Sequence, residues 1–455
     1  MKRFYLLVGL LFAVILLAAL GWKFAQKTMP ARLPNQNLIP SPIAGGLYAD
    51  AASDLGKVSR YSLGTNYGPT MAIPFDLLPQ YQNSGITFLR FPAGNWGDLN
   101  DVSFLQIDRY MNQAEMIHAE VLFAVRLKNG TPERAAELVQ YCKDKGYPVK
   151  YWNIGNEPNL FAATDPAYDT VRFNKDWRAF ALAMKAVDPG ILLVGPEINQ
   201  YTGDPAIDPK DSSGRDWLRE FLRANGDMVD VVSVHRYPFP VQVGGDLPTA
   251  DQLMADAHTW SGIVRNLRNT IRQELNRDLP IGITEFNSNW TNGAGAETTP
   301  DSFLNAIWLA DVLGELIRER VDLVNQWSLQ SAGPTGGHGL LGAFDVRPSY
   351  YVYQIYKQFS GSLIQASSDD PDLPMYAARL EDGTLTLVVV NLSDEGKETP
   401  LHLLHFLPQG AAQLILFDQA NPALSQSSVS IGDTSDFSFP AYSVTLLKIP
   451  GQQQP

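Results

Sequence analysis

Between about Arg60 and Gly361 eight short apolar runs alternate with amphipathic stretches, and this rhythm limits the fold more than any other feature of the chain. The runs are "YSLGTN" (61–66), "ITFLRF" (86–91), "EVLFAV" (120–125), "VKYWNIG" (149–155), "ILLVG" (191–195), "VDVVSVH" (229–235), "PIGITE" (280–285) and "VDLVNQWSL" (321–329). Each reads as a buried strand, and the stretches between them read as helices. "TPERAAELVQYCKDKG" carries a threonine N-cap and a glycine stop. "FNKDWRAFALAMKAVDPG" ends at Asp-Pro-Gly, and "ADQLMADAHTWSGIVRNLRNTIRQEL" is the longest helical pattern. Strand and helix alternating eight times predict an α/β chain with a (β/α)8 TIM barrel over residues 59–360. The rival is an open doubly wound sheet, which is disfavoured because no glycine-rich phosphate loop follows the first strand.

The rhythm changes after Gly361. "MYAARL", "LTLVVVNLS", "AQLILFD" and "YSVTLLKI" are β-type runs separated by turn signals such as Glu381-Asp382-Gly383. They predict a C-terminal antiparallel β-sandwich over 361–455. At the other end, Lys2 and Arg3 precede an apolar run from Phe4 to Trp22, long enough to span a bilayer as a helix. Residues 1–24 therefore read as an uncleaved signal anchor, with a cleaved signal peptide as the alternative. Either places the remainder outside the cytoplasm, membrane-anchored in the first case and secreted in the second. Residues 25–58 read as a Pro-, Asn- and Gly-rich linker that can also lend one strand to the sandwich.

With 455 residues and 45% hydrophobic content, the chain can bury two domain cores. A formal net charge of −13 argues against a nucleic-acid partner, whose phosphates need a basic face. The one cysteine, Cys142, cannot form an intrachain disulfide, and no histidine motif stands beside it to make it a nucleophile.

In a (β/α)8 barrel the reactive side chains come from the C-terminal ends of the strands. Read at those positions, the second strand offers Arg90 and the third Arg126. The fourth offers Asn156 and Glu157, just before Pro158 ends the strand. The sixth offers His235, Arg236 and Tyr237; the seventh, Thr284 and Glu285; the eighth, Trp327. Two carboxylates across one pocket suit cleavage of a glycosidic bond, one protonating the leaving oxygen while the other attacks the anomeric carbon or activates water. Asp98 and Glu197 are minor rivals for those roles.

The stretch "WNIGNEPN" resembles the acid/base motif of clan A retaining glycoside hydrolases. "FLRFPAGN", "HRYPF" and "GLLGAFDVRPSYYVYQIYKQFSG" are similar to the heparanase-like β-glucuronidases, and the last also to α-L-arabinofuranosidases and β-xylosidases of that clan. The resemblance covers about residues 60–450. It implies Glu157 as acid/base, Glu285 as nucleophile, Asn156 as partner of the sugar 2-hydroxyl, and Tyr237 as the group orienting the nucleophile. At the third strand Arg126 stands where the heparanase-like pattern has an asparagine.

For the other candidates two readings stay open. His235 either lines the site or braces a loop, and a metal role is disfavoured without a second histidine nearby. Trp327 is a sugar platform or core packing. Arg90 is an ion-pair partner of the carboxylates more readily than a substrate contact. Arg126, Lys128 and Arg236 hold a uronate carboxylate or pair with protein acids. His338 and "SAGPTGGHGLLG" form a lip over the site or a plain loop. The expected partner is an oligosaccharide, polysaccharide or glycoconjugate, and a two-carboxylate mechanism implies no cofactor or metal. A catalytically inactive carbohydrate-binding scaffold and a transglycosylase are the alternatives.

Overall fold

The computed structural model describes residues 43–239, 246–291 and 293–454. The apolar run at 4–22 lies outside them. No helix among the described residues is long and apolar enough to cross a membrane.

Eight parallel strands close into a barrel. With β1 reserved for an upstream strand, Leu47–Asp50, they are β2 (Gly64–Asn66), β3 (Phe88–Phe91), β4 (Glu120–Val125), β5 (Tyr151–Ile154), β6 (Leu192–Ile198), β7 (Val231–Arg236), β8 (Ile281–Phe286) and β9 (Leu323–Gln326). Their residues are buried almost without exception, as expected where helices cover the outside and side chains fill the lumen. The filling is layered. Phe88, Leu122, Tyr151, Val194, Val231 and Leu323, near the N-terminal ends of their strands, form an apolar plug. Two to four residues further along β3, β7 and β9 the side chains on the same faces are polar: Arg90, His235 and Asn325. The upper lumen is therefore a polar chamber on an apolar floor.

Helix boundaries follow local chemistry. Thr131 caps Pro132–Asp144 by accepting from the Arg134 amide, and Gly146 follows with φ +69°. The pattern that reads as one longest helix is two, Ala250–Ala257 and Trp260–Leu275. The break comes at Asp256, whose carbonyl takes the Thr259 hydroxyl (2.7 Å) while its carboxylate receives Arg236 and the indoles of Trp260 and Trp308. Those buried donors outweigh helical continuity. Thr170–Val187, with 18 residues, is the longer element.

The C-terminal region is a nine-stranded sheet wrapped around its own core. Its pairings are antiparallel except one: β1 enters from upstream of the barrel and lies between Ser362–Ser368, antiparallel, and Lys397–Leu404, parallel. Its arrival before the barrel sets that direction. A second apolar cluster runs without interruption from the barrel into the sheet through Tyr376, Val388, Val390, Ile415, Phe417 and Leu446. The barrel helix Phe303–Arg318 lies between the two, buried around nearly its whole circumference. Gly314 permits the approach, because a Cβ there would stand 2.1 Å from the Tyr376 ring.

Candidate active site

The polar chamber at the C-terminal mouth of the barrel holds Glu157, Glu285, Glu197, Arg90, His235, Tyr237, Asn156 and Asn66, all nearly or fully buried. Backbone irregularities aim several of them. β6 and β7 slip register between Pro196 and Ile198, leaving Glu197 as an extra residue in the left-handed region at φ +61°. β7 and β8 slip again between Val234 and His235, so that His235 pairs with Glu285. Glu157 is also left-handed (φ +48°), and its amide donates to the Glu197 carbonyl at 3.1 Å. Such conformations cost on the order of 1–3 kcal/mol each and persist where the surroundings demand them. Gly155 makes the turn before Glu157 at φ +80°, where a Cβ would press on Leu127.

Arg90 is the centre of the cluster. Nη1 donates to Asn66 Oδ1 (3.0 Å) and Glu285 Oε2 (3.1 Å), and Nη2 to Asn156 Oδ1 (2.7 Å) and Glu197 Oε2 (2.7 Å). Tyr237 Oη donates to Glu285 Oε1 at 2.6 Å. Glu157 receives both of its contacts on Oε1, from Asn199 Nδ2 (2.6 Å) and from His235 Nδ1 (3.0 Å). His235 Nε2 faces Glu197 Oε2 at 3.1 Å. Thr284 Oγ1 donates to Glu197 Oε1 at 2.7 Å. Asn156 is fixed from behind: its amide donates to Asp98 Oδ2 (2.7 Å) and its Nδ2 to Asn95 (3.1 Å).

These contacts divide the carboxylates. Burial raises the pKa of Glu285 and the Glu157 charge adds to it, while His235, Arg90 and the Tyr237 bond pull the other way. Burial also opposes ionisation of Glu197, but Arg90 and His235 prevail and hold it down at about 2. For His235, burial disfavours the imidazolium, and Glu285, Glu157 and Glu197 outweigh it, holding the ring up at about 9. Asp98, lifted to about 6 by burial against three amide donors, serves the backbone of Asn156, Leu127 and Lys128.

Other sequence candidates stand apart. Arg126 is engaged by the carbonyls of Asp98 and Lys128 and by Asp101 (3.1 Å). Arg236 points outward onto Asp256 and the Trp260 ring, and Lys128 donates to Thr164 Oγ1 (2.7 Å). Trp327 is half-buried against Gly94, whose absent Cβ leaves room for its indole. His338 is buried, and burial pushes its ring down to about 4. Asn66 and Asn199 join the cluster without having been read as candidates. Their only signal is an asparagine at a strand end, which looks the same as a turn former.

One oxygen of Glu157, a ring nitrogen of His235 and one oxygen of Glu285 lie within 4.8 Å of one another, close enough to cage a cation. Arg90 already supplies a fixed positive charge to Glu285 and Glu197, and His235 supplies another to Glu157. Two protein cations thus already lie against the three carboxylates, which weighs against metal capture.

The glycosyl hydrolases family 39 model matches residues 138–379, more than half of the chain. Heparanase from Bos taurus is 26% identical over 285 residues, covering 59% of this chain and 49% of that protein. A β-xylosidase from Caldicellulosiruptor saccharolyticus is 24% identical over 235 residues, covering 48% and 43%. The chain thus spans about half the length of the curated relatives it matches. Among solved structures, the α-L-arabinofuranosidase of Thermotoga maritima superposes with TM-score 0.70 at 17% identity, over 89% of this chain and 99% of that one. CelM2, a glucanase-xylanase from a metagenome library, does so with TM-score 0.68 at 18% identity, over 90% and 99%. At these identities the structural likeness speaks to the fold.

Proposed function

Since this chain belongs to glycosyl hydrolases family 39, we propose that it cleaves O-glycosidic bonds with retention, by double displacement between Glu157 and Glu285. The observation that carries this reading is the spacing of the two glutamates. An oxygen of each lies within 4.8 Å of the other, close to the about 5–5.5 Å of a retaining pair and short of the roughly 6.5–9.5 Å that an inverting pair needs for its water.

The hydrogen bonds distribute the roles. Glu285 receives Tyr237 and Arg90, donors that favour its ionised form against burial, as a nucleophile requires. Glu157 has both contacts on Oε1, which leaves Oε2 to carry a proton towards the leaving oxygen and later to take one from water. Asn156, anchored by Arg90, Asn95 and the Asp98 carboxylate, presents its amide beside that glutamate for the sugar 2-hydroxyl. Trp327 offers the half-exposed face on which a sugar ring can rest. The substrate is an oligosaccharide, polysaccharide or glycoconjugate. The apolar run at residues 4–22 would hold the enzyme at the membrane surface, which carbonate washing of isolated membranes checks.

A panel of aryl glycosides (β-glucuronide, α-arabinofuranoside, β-xyloside and β-glucoside) tests the activity. Turnover of at least one, lost in Glu285→Gln, is expected. Failure on the whole panel together with oligosaccharide binding would favour the inactive scaffold.

A further inference from the structure

A third carboxylate, Glu197, shares the cluster with Glu157 and Glu285 through Arg90 and His235. Glu197 is fully buried. Its fit is unusually complete for a residue with no assigned role. Oε1 takes the Thr284 hydroxyl, while Oε2 takes Arg90 at 2.7 Å and faces His235 Nε2 at 3.1 Å. The chain admits an extra residue into β6 and a left-handed backbone to put it there. A core position that needed only volume would be filled by an apolar side chain without that distortion.

We propose that Glu197 is a positioning residue for the glycosidase reaction: by fixing His235 through Nε2, it keeps the ring doubly protonated and so commits Nδ1–H to Glu157 Oε1. The inference rests on the reading of Glu157 as the acid/base. The chain of contacts runs Glu197 Oε2, His235 Nε2, His235 Nδ1, Glu157 Oε1. A carboxylate at one end of an imidazole holds its orientation and stabilises the charged ring. The charged ring in turn stabilises the Glu157 anion left when the leaving oxygen has been protonated, and the base that the second step needs. The groups facing His235 are Glu157 from the end of β5, Glu197 from β6 and Glu285 from β8, whose Oε2 is 3.9 Å from Nδ1. Arg90 from β3 reaches it only through Glu197 and Glu285, and Tyr237 through Glu285. Of these, Glu197 alone meets Nε2.

The test is the titration of His235 by nitrogen NMR in the full-length, histidine-labelled chain, with its signals assigned by their loss in His235→Gln. In the native protein both ring nitrogens should stay protonated well above neutral pH. In Glu197→Gln the ring should lose a proton at a clearly lower pH, and in Glu197→Asp, which keeps the charge, the titration should return most of the way. With a substrate that is turned over, Glu197→Gln should lower kcat about 10- to 100-fold, at or below the lower end of the about 10²–10⁴ that general acid–base catalysis supplies, with KM little changed and the alkaline limb of kcat displaced. A native His235 that is neutral at pH 7, or an unchanged titration in Glu197→Gln, would overturn the proposal. Should Glu197→Gln fail to fold, the native spectrum and Glu197→Asp decide. The titration needs no substrate, so it stands even if the assignment of Glu157 fails, and that assignment is tested separately by leaving-group dependence.

Discussion

Two clusters in this molecule use nearly the same residues for different ends. At the barrel mouth, Glu157, Glu197 and Glu285 face Arg90 and His235, with Tyr237 donating to Glu285. At the junction of barrel and sheet, Asp311 and Glu315 face Arg318, with Tyr376 Oη 2.5 Å from Asp311 and 3.1 Å from Glu315. Each has one more carboxylate than cations. At the junction burial lifts Asp311 to about 6 and Glu315 to about 7, and Ser261 closes the cluster by bonding to Glu315. At the mouth Glu157 Oε2 has no hydrogen-bond partner among the described residues, and an oxygen of Glu157 lies within 4.8 Å of one of Glu285. What distinguishes the barrel-mouth cluster here is its place at the C-terminal ends of the barrel strands, not its composition.

The largest effect should come from exchanging the same carboxylate-to-amide change between the clusters. Glu285→Gln should lower kcat by about 10⁴-fold or more, the scale seen when a nucleophile is removed. Glu315→Gln should leave kcat within about twofold, since it meets no substrate. Steady-state assays of both variants on one aryl glycoside suffice, and comparable losses would erase the distinction.

Next in size is Glu157→Ala. It should cost about 10²–10⁴-fold on substrates with poor leaving groups and far less, in the bond-breaking step, on activated aryl glycosides. Equal losses across the series would remove the acid role from Glu157.

The tyrosines should also part company. Tyr237→Phe withdraws a donor from Glu285, so its carboxyl rises further and the acidic limb of kcat/KM moves to higher pH. Tyr376→Phe should leave that limb in place and destabilise the fold by about 1–3 kcal/mol through the unsatisfied carboxylates it leaves behind, seen as an earlier denaturant midpoint.

The smallest effect is the pH dependence of stability, and its sign differs between the clusters. Asp311 and Glu315 are raised in the folded state, so their stabilising contribution is present below the unfolded carboxylate value and is lost as pH rises through about 6 and 7. Glu197 is depressed, so its contribution is present above the unfolded value and is lost as pH falls towards about 2. Melting curves of Glu315→Gln should therefore gain on the native protein between pH 5 and about 8, whereas those of Glu197→Gln should lose least in acid.

The sequence makes the barrel legible because a parallel barrel buries both faces of every strand, so each appears as a continuous apolar run. It makes Glu157 and Glu285 legible because both follow such runs directly. Glu197 is harder to read: it points inward only because β6 takes an extra residue, and a register slip leaves no mark on hydrophobic periodicity. Asn66 and Asn199 are hidden for a similar reason, since asparagine at a strand end is equally a turn residue. Arg126 looks like a substrate cation until Asp101, from a separate loop, is brought beside it. The break between residues 257 and 260 depends on Asp256 meeting Arg236 and two tryptophans from elsewhere in the chain. The parallel pairing of β1 depends on a strand more than 300 residues away. What stays illegible is long-range in every instance.

Proton NMR of the first-formed sugar, recorded before mutarotation with an aryl glycoside that is turned over, tests the pairing of Glu157 and Glu285 at the barrel mouth most directly. The initial anomer should match that of the substrate, and a 2-fluoro glycoside of the same sugar should leave its mass on the peptide containing Glu285. First appearance of the opposite anomer would contradict double displacement by Glu157 and Glu285.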